Sequence, residues 1–212
     1  MNAPHRYRPM PREMRQRVWS GLAISLSLLA TPVLAQGPAG VVGTAGWSIS
    51  PEYRQVQARA LEMQRRLLLA MADSMPERLY RDKATPVQRD FAQQIGHAAG
   101  EAHRVAFLAT GMARGAPLPD TAVAFASRAG LEAYINAAYD QLDDWLRSQS
   151  NQRRNDIIDF FGNEVARWMV WDEIAAYTTW TAGQVVANFR KNGMAPPAFH
   201  FFPVPQRDKP KP

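Results

Sequence analysis

A chain of 212 residues, 46% hydrophobic and 10% aromatic, can bury one proper core but is short for two independent domains. It has no cysteine, which excludes disulfides, thiolate nucleophiles and cysteine metal ligands. Its formal charge of +6 lies mostly at the front, so nucleic acid is not an expected partner: Arg6, Arg8, Arg12, Arg15 and Arg17 face only Glu13, whereas from Gln36 onward 20 basic residues face 18 acidic ones.

Residues 1–35 have the three parts of a secretory signal: a basic stretch, an apolar run from Val18 to Leu34, and small residues ending in Val33-Leu34-Ala35. Cleavage before Gln36 would export the remainder to the periplasm or outside the cell with no stable membrane anchor. Ser20, Ser25, Ser27 and Pro32 interrupt the apolar run, which is at the short limit for a spanning helix, so an uncleaved anchor is the competing reading. Residues 36–49 are rich in glycine and small side chains and read as a linker.

The folded domain is expected over residues 50–193. Ser50-Pro51-Glu52 starts a first helix that runs to about Met75 and offers Val56, Leu61, Leu67, Leu68 and Met71 to a core. Thr85-Pro86-Val87-Gln88 has capping-box spacing with proline at the first helical position, and predicts a second helix to Gly111. Phe91, Ile95, Ala98, Ala102, Val105 and Ala109 form its buried stripe. After the Pro- and Gly-rich connector 112–120, a third helix starts at Asp120 or at the better cap Ser127. Its apolar face is Leu131, Tyr134, Ile135, Ala138, Leu142, Trp145 and Leu146. Asp140, Asp143 and Asp144 near its end oppose the helix dipole, so packing must dominate.

A polar break at 148–156 precedes a fourth helix, expected from Phe160 to Lys191 and closed by Asn192-Gly193 and Pro196-Pro197. Trp168, Trp171, Ala175, Thr178, Ala182, Val185 and Phe189 give it a buried stripe, and Ala175, Thr178, Ala182 and Gly183 favour close approach of a neighbour. The tail 194–212 is Pro-rich, with Phe199, His200, Phe201 and Phe202 expected to dock on the domain. No strand pattern competes, so the expected fold is an all-α, antiparallel four-helix bundle.

Three stretches of this domain resemble the DinB-like superfamily of bacterial DNA-damage-inducible helical bundles: residues 63–80 (MQRRLLLAMADSMPERLY), 91–97 (FAQQIGH) and 183–197 (GQVVANFRKNGMAPP). The resemblance spans roughly residues 53–198. It implies a divalent metal, zinc or nickel, held by three histidines, one in the second helix and two spaced four apart in the fourth. His97 matches the first position, but the other two are Tyr177 and Thr181, whose neutral hydroxyls are poor ligands for either ion. Glu101 lies one turn after His97 and Glu173 one turn before Tyr177, so a carboxylate-containing replacement site is one possible reading. The other makes His97, about 120° from the centre of its helix's apolar stripe, a hydrogen-bonded histidine at the core edge.

His103 is expected on the surface, Trp168, Trp171 and Trp180 in the core, and Arg65-Arg66 and Arg153-Arg154 as exposed charge. No phosphate loop, nucleophile elbow or metalloprotease motif is present. Two functions therefore compete: a binding or structural module with a degenerate metal site, with a homodimer through exposed helix faces as one arrangement, and a metal-dependent hydrolase or transferase rebuilt around His97.

Overall fold

The computed structural model describes residues 49–111 and 115–200. The expected leader, the linker up to residue 48, residues 112–114 and the tail beyond residue 200, with Phe201 and Phe202, lie outside the described residues. Helix α1 spans Tyr53–Ser74 and is entered through a backbone turn in which the Tyr53 N–H donates to the Ser50 carbonyl at 3.1 Å. Extended Met75 ends it, and Pro76 cannot continue it. A 3-10 turn, Glu77–Leu79, follows.

Helix α2 covers Phe91–Thr110, starting later than Thr85. The working capping box is Asp90 with Gln93: Asp90 Oδ1 accepts from the Gln93 N–H at 2.8 Å, and Gln93 Oε1 accepts from the Asp90 N–H at 3.2 Å. Thr85–Gln88 makes one isolated turn instead. Long-range bonds decide between the two starts, because Phe91 and Ala92 donate their N–H groups to the Asp82 and Tyr80 carbonyls, and α2 then ends at left-handed Gly111.

Both expected starts of the next helical segment occur. Asp120 caps the single turn α3, Thr121–Ala124, and Ser127 caps α4, Arg128–Ser148. A further turn, α5 (Asn151–Arg154), leads into a β-hairpin. Strands β1 (Ile157–Phe160) and β2 (Asn163–Ala166) pair antiparallel, with Ile157 opposite Ala166 and Phe160 opposite Asn163. The sequence reading placed helix from Phe160. The correction has a physical cause: Ile157, Ile158, Phe160 and Val165 are β-branched or aromatic, and Phe161 (φ 52°) and Gly162 (φ 81°) supply the two left-handed positions of a tight hairpin turn. Helix α6, Arg167–Gly183, is separated from α7, Val186–Lys191, by a break at Gln184-Val185.

The structure is mostly helical. Its long helices α1, α2, α4 and α6 pack as a bundle, α2 lying mainly against α4 and α6, and α1 mainly against the same two. Leu68, Phe91, Ile95, Leu131, Ile135, Leu142 and Trp171 fill the centre. The predicted faces of α2 and α4 are buried almost throughout, with Val105 the half-buried member.

Several side chains depart from expectation. Val56 is 54% and Trp180 72% exposed, because each lies on the outer side of its helix. Gly183 is also exposed, with no neighbour close to where a Cβ would sit. Phe199 and His200 are exposed, so these two do not dock. Arg154 is fully buried. Its Nη2 donates to Gln57 Oε1 at 2.5 Å, Gln57 Nε2 donates to the Trp168 carbonyl and to Asp172 Oδ1, and the Tyr53 hydroxyl donates to Asp172 Oδ2. An amide thus relays between a buried cation and its nearest carboxylate in the network.

Candidate functional site

The sequence-selected residues meet where α2 crosses α6. His97 Nε2 and the Tyr177 hydroxyl are 2.9 Å apart, a hydrogen bond whose donor depends on the imidazole tautomer, and the two rings meet nearly edge to face. Burial, followed by the nearby Arg89, lowers the His97 pKa, although Glu101 opposes the shift.

Glu101, one turn along α2, is held by Arg104. Arg104 Nε donates at 3.1 and 2.9 Å to the two carboxylate oxygens and Nη2 at 2.6 Å to Oε2. These charge-assisted bonds are the main reason the Glu101 pKa lies below its usual range. The guanidinium in turn lies 5.9 Å from the centre of the Phe161 ring at the hairpin tip.

Two hollows flank this arrangement. A half-open cavity of about 290 Å³ lies between α2, α6 and the hairpin, lined by Glu101, Arg104, Phe160, Phe161, Glu173 and Tyr177 together with Ala102, Val105 and Ile174. A more open one, of about 520 Å³, lies on the α3–α4 side and is bordered by Arg89, His97, Glu101, Thr121, Phe125 and Tyr134. Glu101 borders both.

Glycine shapes the second hollow. A Cβ at Gly96 would lie 2.0 Å from Phe125 Cζ, and one at Gly100 would lie 2.6 Å from the Tyr134 hydroxyl oxygen. The two glycines are spaced one turn apart and let α3 and α4 approach the face that carries His97 and Glu101.

Of the five residues considered for a metal, Glu101, Glu173 and Tyr177 share the half-open cavity, and His97 reaches its wall through Tyr177. Thr181 does not join them. It is buried and lines neither hollow, and its carbonyl accepts from Gln94 Nε2. Among the described residues no three His, Asp or Glu side chains come together in an arrangement that holds a metal ion. The strongest donors also have partners already, His97 in Tyr177 and Glu101 in Arg104, so this donor set does not fit a divalent cation as it stands.

No family model matches the chain, and no curated protein matches it.

His103 is half-buried, bonded to Gln141 Oε1 at 3.0 Å and in tilted ring contact with Trp145, apart from this site. Sequence reasoning missed Phe160, Phe161, Arg104, Arg89 and Tyr134. The aromatic pair had a legible signal in the Phe-Gly-Asn turn after a β-branched run. Arg104 on α2 and Arg89 in the loop before it had none, because a charged residue in either place is ordinarily solvated.

Proposed function

We propose that the chain is an exported, divergent member of the DinB-like bundles that works as a small-molecule binding module, with the half-open cavity between α2, α6 and the hairpin as its site. The supporting observation is the hydrogen bond between His97 Nε2 and the Tyr177 hydroxyl. It closes one imidazole nitrogen where the resemblance places a metal ligand, and Arg104 likewise engages Glu101. What remains beside this pair is a concave, largely apolar space with a few polar groups, the usual constitution of a ligand pocket. The cavity residues come from elements distant in sequence, so ligand binding would be coupled to the packing of the bundle.

A metal-dependent hydrolase or transferase is the second reading, favoured by the presence of Glu101, Glu173 and Tyr177 around one cavity with His97 bonded to Tyr177. One preparation tests both. Untagged protein, expressed with its own leader and recovered after export, is analysed for metals and then titrated with a fragment library while the amide resonances of α2, α6 and the hairpin are followed. The binding reading expects metal well below one ion per chain and shifts confined to those elements. One zinc or nickel per chain, lost in His97→Ala, would replace it with the enzyme reading.

A further inference from the structure

We infer that the half-open cavity between α2, α6 and the hairpin takes an organic cation, a substituted ammonium group carried on an apolar or aromatic body. This deepens the binding reading above and rests on it.

The charges that face the cavity come first. Glu101 and Arg104 neutralise one another through three short contacts. Glu173 is the second carboxylate on the wall, and no hydrogen bond or ion pair joins it to another described residue, so the lining carries one uncompensated negative charge. Glu173 also borders the neighbouring hollow of about 380 Å³ on the Met169 side of the hairpin, so it stands where the two spaces adjoin. An anion entering here would meet Glu173 beside an Arg104 already neutralised by Glu101, whereas a cation would gain Glu173 as a partner.

The walls decide what kind of cation. Phe160, Phe161 and Tyr177 present aromatic surface, and Ala102, Val105 and Ile174 are aliphatic. A strongly hydrated ion such as Lys-type ammonium or sodium gives up too much water for such walls, but alkylated ammonium groups are weakly hydrated and are recognised by aromatic faces. The volume of about 290 Å³ suits a compact ligand, at the lower end of small-molecule sites.

Phe161 adds an independent observation. It is a bulky side chain held at φ 52° and left 64% exposed, an arrangement that core packing does not explain. One face of its ring already lies beside the Arg104 guanidinium, so the hairpin tip is committed to cation contact within the molecule itself.

The probes are three compounds of nearly equal shape: benzyltrimethylammonium, its neutral carbon analogue neopentylbenzene, and the anion phenylmethanesulfonate. Each is titrated into the intact exported protein at low ionic strength, with binding read from the resonances of α2, α6 and the hairpin. The cation is expected to bind about tenfold more tightly than the neutral compound, from one partly screened ion pair and the ring faces, and the anion more weakly than either. Glu173→Gln, an exposed change compatible with folding, should reduce cation affinity to that of the neutral analogue. Equal affinities for cation and neutral compound, or a cation indifferent to Glu173→Gln, would overturn the charge assignment and leave the cavity reading standing. Absence of shifts with all three compounds would overturn both.

Discussion

Replacing Gly96 with alanine probes the approach of α3 to α2 on the His97 side. The new methyl carbon would lie 2.0, 2.3 and 2.8 Å from three carbons of the Phe125 ring, which is itself buried and packed edge to face on Tyr134 at 5.2 Å. Because the ring is held on its other side, it cannot swing away without disturbing Tyr134, and overpacking of this kind costs about 1–3 kcal/mol. Alanine returns about 1 kcal/mol through its better helix propensity in mid-helix. The expected balance is a loss of up to about 2 kcal/mol, measured as a shift of the urea midpoint at unchanged slope. Phe125→Leu should be destabilising alone but cost less, or nothing, in the Gly96→Ala background, giving a coupling of about 1 kcal/mol or more in the double-mutant cycle. A Gly96→Ala protein as stable as the parent, with no coupling to residue 125, would refute the close approach.

The remaining predictions follow from the same contacts. The folded-state pKa of His97 lies below the ordinary histidine value of about 6.5, so its contribution is fully present above that pH and is lost as pH falls toward the folded value; His97→Gln should flatten this part of the stability–pH curve. Tyr177→Phe removes one hydrogen bond and should cost about 0.5–1.5 kcal/mol by denaturant titration, while leaving the far-ultraviolet dichroism of the bundle intact. Arg154→Ala should cost about 3 kcal/mol or more, since it opens a cavity and leaves Gln57 Oε1 unpaired. Arg154→Met, which keeps the volume, should cost much less, and an equal loss in both would deny that packing matters there. Phe161→Asn should stabilise the hairpin by about 1 kcal/mol, read in thermal unfolding, because asparagine tolerates the left-handed region that phenylalanine resists.

How far the sequence carried can be seen at particular residues. The stripes of α2 and α4 were legible because a helix that faces core along its whole length repeats its apolar positions at three and four, and Ser127 worked as a cap because its oxygen needs only the N–H of Gly130. The start of α2 was not legible in the same way. Thr85 and Asp90 both precede a glutamine at the capping spacing, and the choice is settled by Asp82, whose carbonyl and carboxylate receive Asn188, Lys191 and Asn192 from the far end of the chain.

The hairpin was missed because strands of four residues are too short to display alternation, and their aromatic residues also fit a helical stripe. The family resemblance put His97 and Tyr177 into the same candidate site, and helical spacing added only Glu101 and Glu173, each one turn from one of them. The site's inhabitants Arg104 and Phe161 depend on the hairpin folding back over α2, which no local pattern encodes.

The two ends of the β-hairpin are secured very unequally. At its root, Arg167 donates to the Ala109 and Arg153 carbonyls, its N–H donates to the Asp156 carbonyl, and Arg154 is sunk in the bundle beside it. At its apex, among the described residues, the contact across to α2 is that of the Phe161 ring with the Arg104 guanidinium. Such a cantilever bends at its free end, so admission to the cavity would be governed by small excursions of a few apical residues, with the helices beneath standing still. Amide exchange should accordingly fall off steeply from residue 161 toward residue 156, and an occupant of the cavity should slow it at the apex first.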